Sequence, residues 1–374
     1  MVLMSTTLAC CWAFAPWRHE AATTAAAWLT RSGATSLDVL RADLDACLPR
    51  ETPRPAIDGQ IARARSLRGG AMPVEARAVE AYAAAGLATA ADWAADSGPW
   101  DQVYSGPMGL ADHALAASVR ADGLAGQWVA HVDPLPTHGV DGARLTAEMG
   151  ATLAARLLPM LPAAPDSPLV ADWMLALIAQ ADVVLAGTEA AAQALGEHPA
   201  FATARPAGAP PVVVWQRPGL LAFPAYDQGP GVLSVAVDAH RLPRLEPVLA
   251  AYAMLRPQEQ AKVPLRIRTN DPRPVGAALR RRGLEPRVEI AADPSPAARL
   301  AGTRVALVVD APPPEGARWS PAGMPELADY AAAGIPVVVL AEQDSPWSAL
   351  PGVTHLPSDH PSAALAVLRA LADA

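Results

Sequence analysis

Short apolar runs bounded by Gly and Pro alternate along the chain with Ala-rich stretches whose apolar positions recur every third or fourth residue. The runs read as buried strands and the periodic stretches as helices packed on them. In the first half this predicts strands at Val2–Cys11, Ser36–Leu40, Gln102–Tyr104, Trp128–Val132 and Asp182–Ala186. Helices are expected at Glu20–Ser32, Val74–Ala85, Leu110–Arg120, Arg144–Leu158 and Pro168–Gln180. Residues 49–71, with several Arg, Pro and Gly, read as an excursion outside the core. Gly and Pro crowd residues 206–230, so the chain is divided there into residues 1–212 and 213–374. The alternation then resumes with strands at Val232–Val237, Leu265–Thr269, Arg287–Ile290, Val305–Val309 and Val337–Leu340, and closes on a helix over Ser362–Ala372. Strand–helix alternation from end to end predicts an α/β protein of two Rossmann-like, doubly wound parallel sheets.

Residues 325–340 carry the sharpest local signal. Pro325 suits a first helical turn, Leu327, Tyr330 and Ala331 recur at helical spacing, Gly334 supplies a C-terminal cap and Pro336 forbids continuation. Val337–Leu340 has the unbroken apolar character of a parallel strand buried on both faces. Asp329 lies about one turn into that helix, and in doubly wound folds ligands bind in the crevice beyond the carboxyl ends of the strands.

Composition narrows the function classes. A chain of 374 residues holds about two domains, and a net charge of −8 argues against a nucleic-acid partner. Cys10, Cys11 and Cys47 form no CxxC pair and no even set, which points to a reducing, cytoplasmic setting without a zinc site. Residues 1–16 are apolar, but no basic residue precedes Arg18, and they serve as a first buried strand. No uncharged run reaches the ~20 residues needed to span a bilayer, which leaves a soluble protein or one peripheral at a membrane face. No GxGxxG opens the first unit and no GxxxxGK[ST] occurs, so dinucleotide and P-loop chemistry are disfavoured. Ser105 and His113 are eight residues apart, but no G-x-S-x-G elbow surrounds the serine.

Several segments resemble GT-B glycosyltransferases, bacterial family-four-like enzymes in particular. The helix Pro325–Gly334 with Ile335-Pro336-Val337 is similar to their nucleotide-sugar helix, an acidic residue and an aromatic ahead of Leu-Ala-Ala-Gly-x-Pro-Val. Asp238 to Arg244, after a first strand, resembles the segment that meets the donor diphosphate. Leu284–Leu300 and Ala301–Asp310 resemble the base-contacting stretch and the strand that follows it. In the first half, Asp101–Pro107, Trp128–Pro134 and Ala181–Glu189 are similar to bacterial glycosyltransferase patterns. The chain departs from the family at Thr269-Asn270-Asp271-Pro272, where a glycine-rich turn is usual, and at Pro321, where a second Glu is usual.

The resemblance implies a transferase that moves a sugar from a nucleoside-diphosphate-sugar donor to an acceptor of unknown identity across an interdomain cleft. No cofactor beyond that donor substrate is implied, and no divalent metal; the one Asp-x-Asp, Asp43-Leu44-Asp45, lies outside every segment that carries the resemblance. Arg241 and Arg244 would neutralise the diphosphate, Gly323 and Met324 would offer backbone amides, and Asp329 would hold the ribose. His131 and His19 are the candidate catalytic groups, and Ser105 and Asp133 the acceptor-side ones, each also explicable as an ordinary strand or helix-start residue. Two alternatives stand beside transfer: a sugar-nucleotide epimerase on the same fold, and a silent module that binds a sugar nucleotide or a partner without turnover.

Overall fold

The computed structural model describes the chain apart from residues 1–4, 16, 18–19, 46–55, 69–75, 108–109, 133–150, 163–164, 166–169, 216–230, 238–240, 270, 293–298, 311–325, 343–344, 346–351, 359 and 374. The described residues fall into two compact units, one reaching Trp215 and the other beginning at Gly231.

The first unit is built from β1 (Ser5–Cys10), α1 (Glu20–Arg31), β2 (Ala34–Ala42), β3 (Ile61–Leu67), α2 (Ala76–Ser97), β4 (Trp100–Ser105), α3 (Leu110–Ala121), β5 (Ala125–Val132), α4 (Ala151–Leu157), α5 (Val170–Ile178), β6 (Val183–Ala186), α6 (Glu189–Glu197), α7 (Pro199–Ala204) and β7 (Val213–Val214). All seven strands pair in parallel, in the order β3-β2-β1-β4-β5-β6-β7. Strand alternation divides the core between the two faces of this sheet. Leu8 and Cys10 join α2, α3 and α5 on one face, while Ala9 and Cys11 join Ala25 and Leu29 of α1 on the other. β7 carries this sheet two residues past the 212/213 division, because Val213 and Val214 pair with Leu185 and Ala186.

Two expectations are corrected here. Residues 49–71 are not simply an excursion: a 3₁₀ turn (Ala56–Gln60) leads into β3, the edge of the sheet. Ile61 and Leu67 are its apolar anchors, and Arg63 is admitted because Asp38 on β2, directly opposite in register, receives its Nε at 2.9 Å and its Nη2. Trp100 Nε1 gives the same carboxylate a third bond at 2.8 Å. The helix expected to stop at Ala85 runs on as α2 to Ser97. Gly86 does not end it; a Cβ there would lie 2.5 Å from Leu115 Cδ2, so the glycine lets α2 approach α3 closely.

The second unit comprises β8 (Val232–Ala236), α8 (Leu242–Ala253), α9 (Pro257–Lys262), β9 (Leu265–Arg268), α10 (Pro272–Arg281), β10 (Val288–Ala291), β11 (Thr303–Val309), α11 (Glu326–Ala332), β12 (Val337–Ala341), β13 (Val353–Pro357) and α12 (Pro361–Asp373). Its six strands are parallel in the order β10-β9-β8-β11-β12-β13. The direction of winding reverses between β8 and β11, which makes the carboxyl ends of those strands the topological switch point. The segment singled out in the sequence folds as its chemistry dictates. Gly334 takes φ +66, and Gly334 N–H to Ala331 O at 3.1 Å with Ile335 N–H to Tyr330 O at 2.9 Å close a Schellman cap. Every residue of β12 is buried. β13, half-exposed at the sheet edge, has no counterpart in the expected strands.

Candidate functional site

In the second unit, charged side chains gather along the carboxyl edge of the sheet. Arg241 caps the start of α8 and Arg244 lies in its first turn, just beyond β8 at the switch point. Arg241 Nη1 donates to Glu326 Oε1 at 3.3 Å, which brings the start of α8 to the start of α11. Arg244 Nη1 donates to Glu342 Oε1 at 2.9 Å, immediately past the end of β12. Neither pair completes its guanidinium: Arg241 Nε and Arg244 Nε and Nη2 are buried and find no hydrogen-bond acceptor among the described residues. A buried donor left unpaired costs roughly 1–3 kcal/mol, so these N–H groups call for oxygen acceptors.

Asp329 sits on the same helix, on the face it buries, with Glu326 and Tyr330. It is 1% exposed and pairs with Arg299 Nη2 at 3.3 Å. Burial raises the Tyr330 hydroxyl above its ordinary pKa, with Arg299 beside it pulling the other way. Thr269 and Asp271, which stand where the family has a glycine-rich turn, are committed locally. Asp271 caps α10 by accepting from Arg273 N at 3.1 Å, and Thr269 Oγ1 accepts from Asp271 N at 3.2 Å. Gly323 and Met324 lie outside the described residues.

The first unit separates the residues expected to act together there. Ser105 and His131 face opposite sides of the sheet. Ser105, fully buried at the end of β4, accepts Trp128 Nε1 at 3.0 Å and shares a hydrogen bond with His113 Nδ1 at 2.8 Å. His131 shares one with Tyr104 Oη at 2.9 Å, and its ring stands edge-on to Trp215 at 5.4 Å, which itself stands edge-on to Trp28 at 5.3 Å. Burial pushes both imidazoles down to about 3, so each stays neutral throughout the physiological range. His19 and Asp133 lie outside the described residues.

At the switch point of this first sheet, between β1 and β4, lies a group that sequence reasoning missed. Asp112, in the first turn of α3, is 1% exposed and accepts Trp12 N at 2.6 Å through Oδ2. Its Oδ1 finds no hydrogen-bond partner among the described residues, and desolvation pushes its pKa up to about 8 against the partial relief from Trp12 N–H and the nearby Tyr82 hydroxyl. The same burial, aided by Asp112, raises the thiols of Cys10 and Cys11. Glu326, Glu342 and Arg299 were also unassigned. Glu326 opens the recognised helix and Glu342 follows the recognised strand, so position was the available signal; nothing local distinguishes Arg299.

Among the described residues no group of three or more His, Cys, Asp or Glu is placed to hold a metal ion. No helix among them is long and apolar enough to cross a membrane.

The two doubly wound parallel sheets, of seven and six strands, define the GT-B fold. Solved structures agree at low sequence identity. WaaG, a glycosyltransferase involved in lipopolysaccharide biosynthesis, superposes with a TM-score of 0.55 at 13% identity over 99% of this chain and 90% of that one. A Listeria monocytogenes protein described by its assigned activity as a UDP-N-acetylglucosamine 2-epimerase gives 0.54 at 11% identity over 99% and 88%. An α,α-trehalose-phosphate synthase (UDP-forming) from Burkholderia vietnamiensis gives 0.53 at 13% over 99% and 92%. No protein-family model matches the sequence, and no curated protein is significantly similar to it.

Proposed function

We propose that this protein is a glycosyltransferase that binds a nucleoside-diphosphate-sugar donor on its second unit and passes the sugar to an acceptor on its first. The observation that carries this reading is the pair of arginines at the β8–β11 switch point with buried N–H groups that find no acceptor among the described residues. A diphosphate supplies acceptor oxygens of the required charge, and planar guanidinium forks suit it. The fold neighbours include a UDP-forming synthase and a protein described as a UDP-N-acetylglucosamine epimerase, which supports donor chemistry of this class. Arg241 and Arg244 would bind the leaving diphosphate and stabilise its developing charge, with no divalent metal required. Gly323 and Met324 would add backbone amides. Asp329, turned toward Arg299, would reach ribose only by exchanging that partner. The enzyme's own contribution is then positioning and charge stabilisation rather than a covalent intermediate. In the first unit His19 is the proposed catalytic group and Asp133 the proposed acceptor-side contact, since His131 and Ser105 are engaged in buried hydrogen bonds.

Thermal denaturation with nucleoside diphosphates of each base tests the first step. A ligand that binds the folded state alone stabilises it by about 2.7 kcal/mol at 100-fold its Kd. Failure of every nucleoside diphosphate to raise the melting temperature at millimolar concentration would remove the donor reading. The epimerase neighbour favours a second reading on the same donor site. Release of nucleoside diphosphate that depends on an added acceptor identifies transfer; interconversion of the free sugar nucleotide identifies epimerisation.

A further inference from the structure

The open forks of Arg241 and Arg244 share a pattern that neither arginine would adopt by itself. Each guanidinium is held at one terminal nitrogen, Nη1, by a glutamate from a different element. Arg244 is the clearer case. Its side chain is only 11% exposed, and Glu342 takes Nη1 while Nε and Nη2, the two donors on one edge of the fork, are buried and find no partner among the described residues. Those two parallel N–H groups match two oxygens of a phosphate. Arginine has about 2 kcal/mol of rotamer entropy, so an unheld Arg244 would sample many orientations of that edge. Glu342 directly follows β12, whose five residues are all buried in the sheet, so its backbone origin is fixed.

We propose that Glu342 is a positioning residue for the donor diphosphate: it fixes Arg244 through Nη1 so that the Nε–Nη2 edge is presented to a phosphate group. Glu342 does not touch the ligand. It carries a charge of the same sign as the diphosphate, and that repulsion works against binding; orientation outweighs it. This inference rests on the second unit being the donor site.

The test separates orientation from charge. Gln at position 342 keeps an oxygen that accepts from Nη1, whereas Ala does not, and both substitutions remove the same negative charge. Titration calorimetry with uridine, guanosine, adenosine and thymidine diphosphates first identifies the tightest ligand of the wild-type chain. With that ligand, Glu342→Gln is expected to bind about fivefold to tenfold more tightly than Glu342→Ala, the scale of one hydrogen bond. In an Arg244→Ala background the Gln and Ala variants at 342 should bind alike. Equal affinities of E342Q and E342A would overturn the proposal and mark Glu342 as a charge competitor only. So would a Gln–Ala difference that persists without Arg244, because that difference would come from folding. If the wild-type chain binds none of the four diphosphates at millimolar concentration, the donor reading fails and this inference with it, an outcome distinct from equal variants of a binding protein.

Discussion

Asp112 gives the folded protein an unusual pH profile. The folded state keeps this carboxyl protonated up to about pH 8, whereas an unfolded chain releases the proton near 3.8. His113 and His131 act oppositely, staying neutral down to about 3 when folded and binding protons near 6.5 when unfolded. Stability changes with pH by about 1.4 kcal/mol per unit for each proton by which the unfolded state exceeds the native one. Between about pH 4 and 6.5 the unfolded state gains two imidazole protons and the native state keeps one on Asp112, so stability rises at about 1.4 kcal/mol per unit. Above 6.5 the imidazole term fades while the Asp112 term persists, and the sign reverses. A group whose folded pKa is raised stabilises below its unfolded pKa and loses that advantage as pH climbs to the folded one. Stability should therefore peak near pH 6.5 and fall by about 1 kcal/mol by pH 8. Cys10, Cys11 and Tyr82, which surround the carboxyl, are raised above their ordinary values and stay neutral in this window. Asp112→Asn keeps an oxygen for Trp12 N–H but carries no titratable proton, so only the imidazole term acts and its stability should rise by somewhat under about 1 kcal/mol from pH 6.5 to 8. Urea denaturation of both proteins at half-unit pH steps measures the difference. Parallel curves for wild type and Asp112→Asn across that window would refute the assignment of the proton to Asp112.

Arg241→Ala should weaken nucleoside diphosphate binding by about 1–3 kcal/mol, the range for lost charge-assisted bonds, and calorimetry that finds unchanged affinity would take Arg241 out of the site. Asp38→Ala removes one acceptor from Arg63 and Trp100 together; with Arg63 31% exposed, the cost should fall to about 2 kcal/mol, below that of a fully buried pair, as read by urea midpoints. Gly86→Ala should destabilise by about 1–2 kcal/mol despite alanine's helix propensity, since the new methyl meets the fully buried Leu115; a stabilised variant would show that α3 yields there. Donor turnover should survive a chelator, and loss of activity restored by magnesium or manganese would direct attention to Asp310 as a ligand.

Much of the architecture was legible from local chemistry. The Gly334–Pro336 stop and the apolar run at 337–340 determined a capped helix and a doubly buried strand, because a positive-φ residue, a missing N–H and an unbroken apolar surface each admit few conformations. Alternating elements likewise determined two parallel sheets, and the placement of Arg241 and Arg244 after β8 followed from the order of the strands. Only the tertiary structure decided what depends on a neighbour distant in sequence. The arginine-rich β3 is a strand because Asp38 lies opposite Arg63, and Gly86 continues a helix because Leu115 presses on it. That Ser105 and His131 face opposite sides of the sheet was likewise decided by the strand register, in which Ser105 pairs with Ala130. Arg299, 30 residues from Asp329, and Glu342, 98 residues from Arg244, became visible only when the switch point brought their charges together. Pairing of buried charges is settled by which side chains share a low-dielectric edge of the sheet, and no local pattern of residues encodes that.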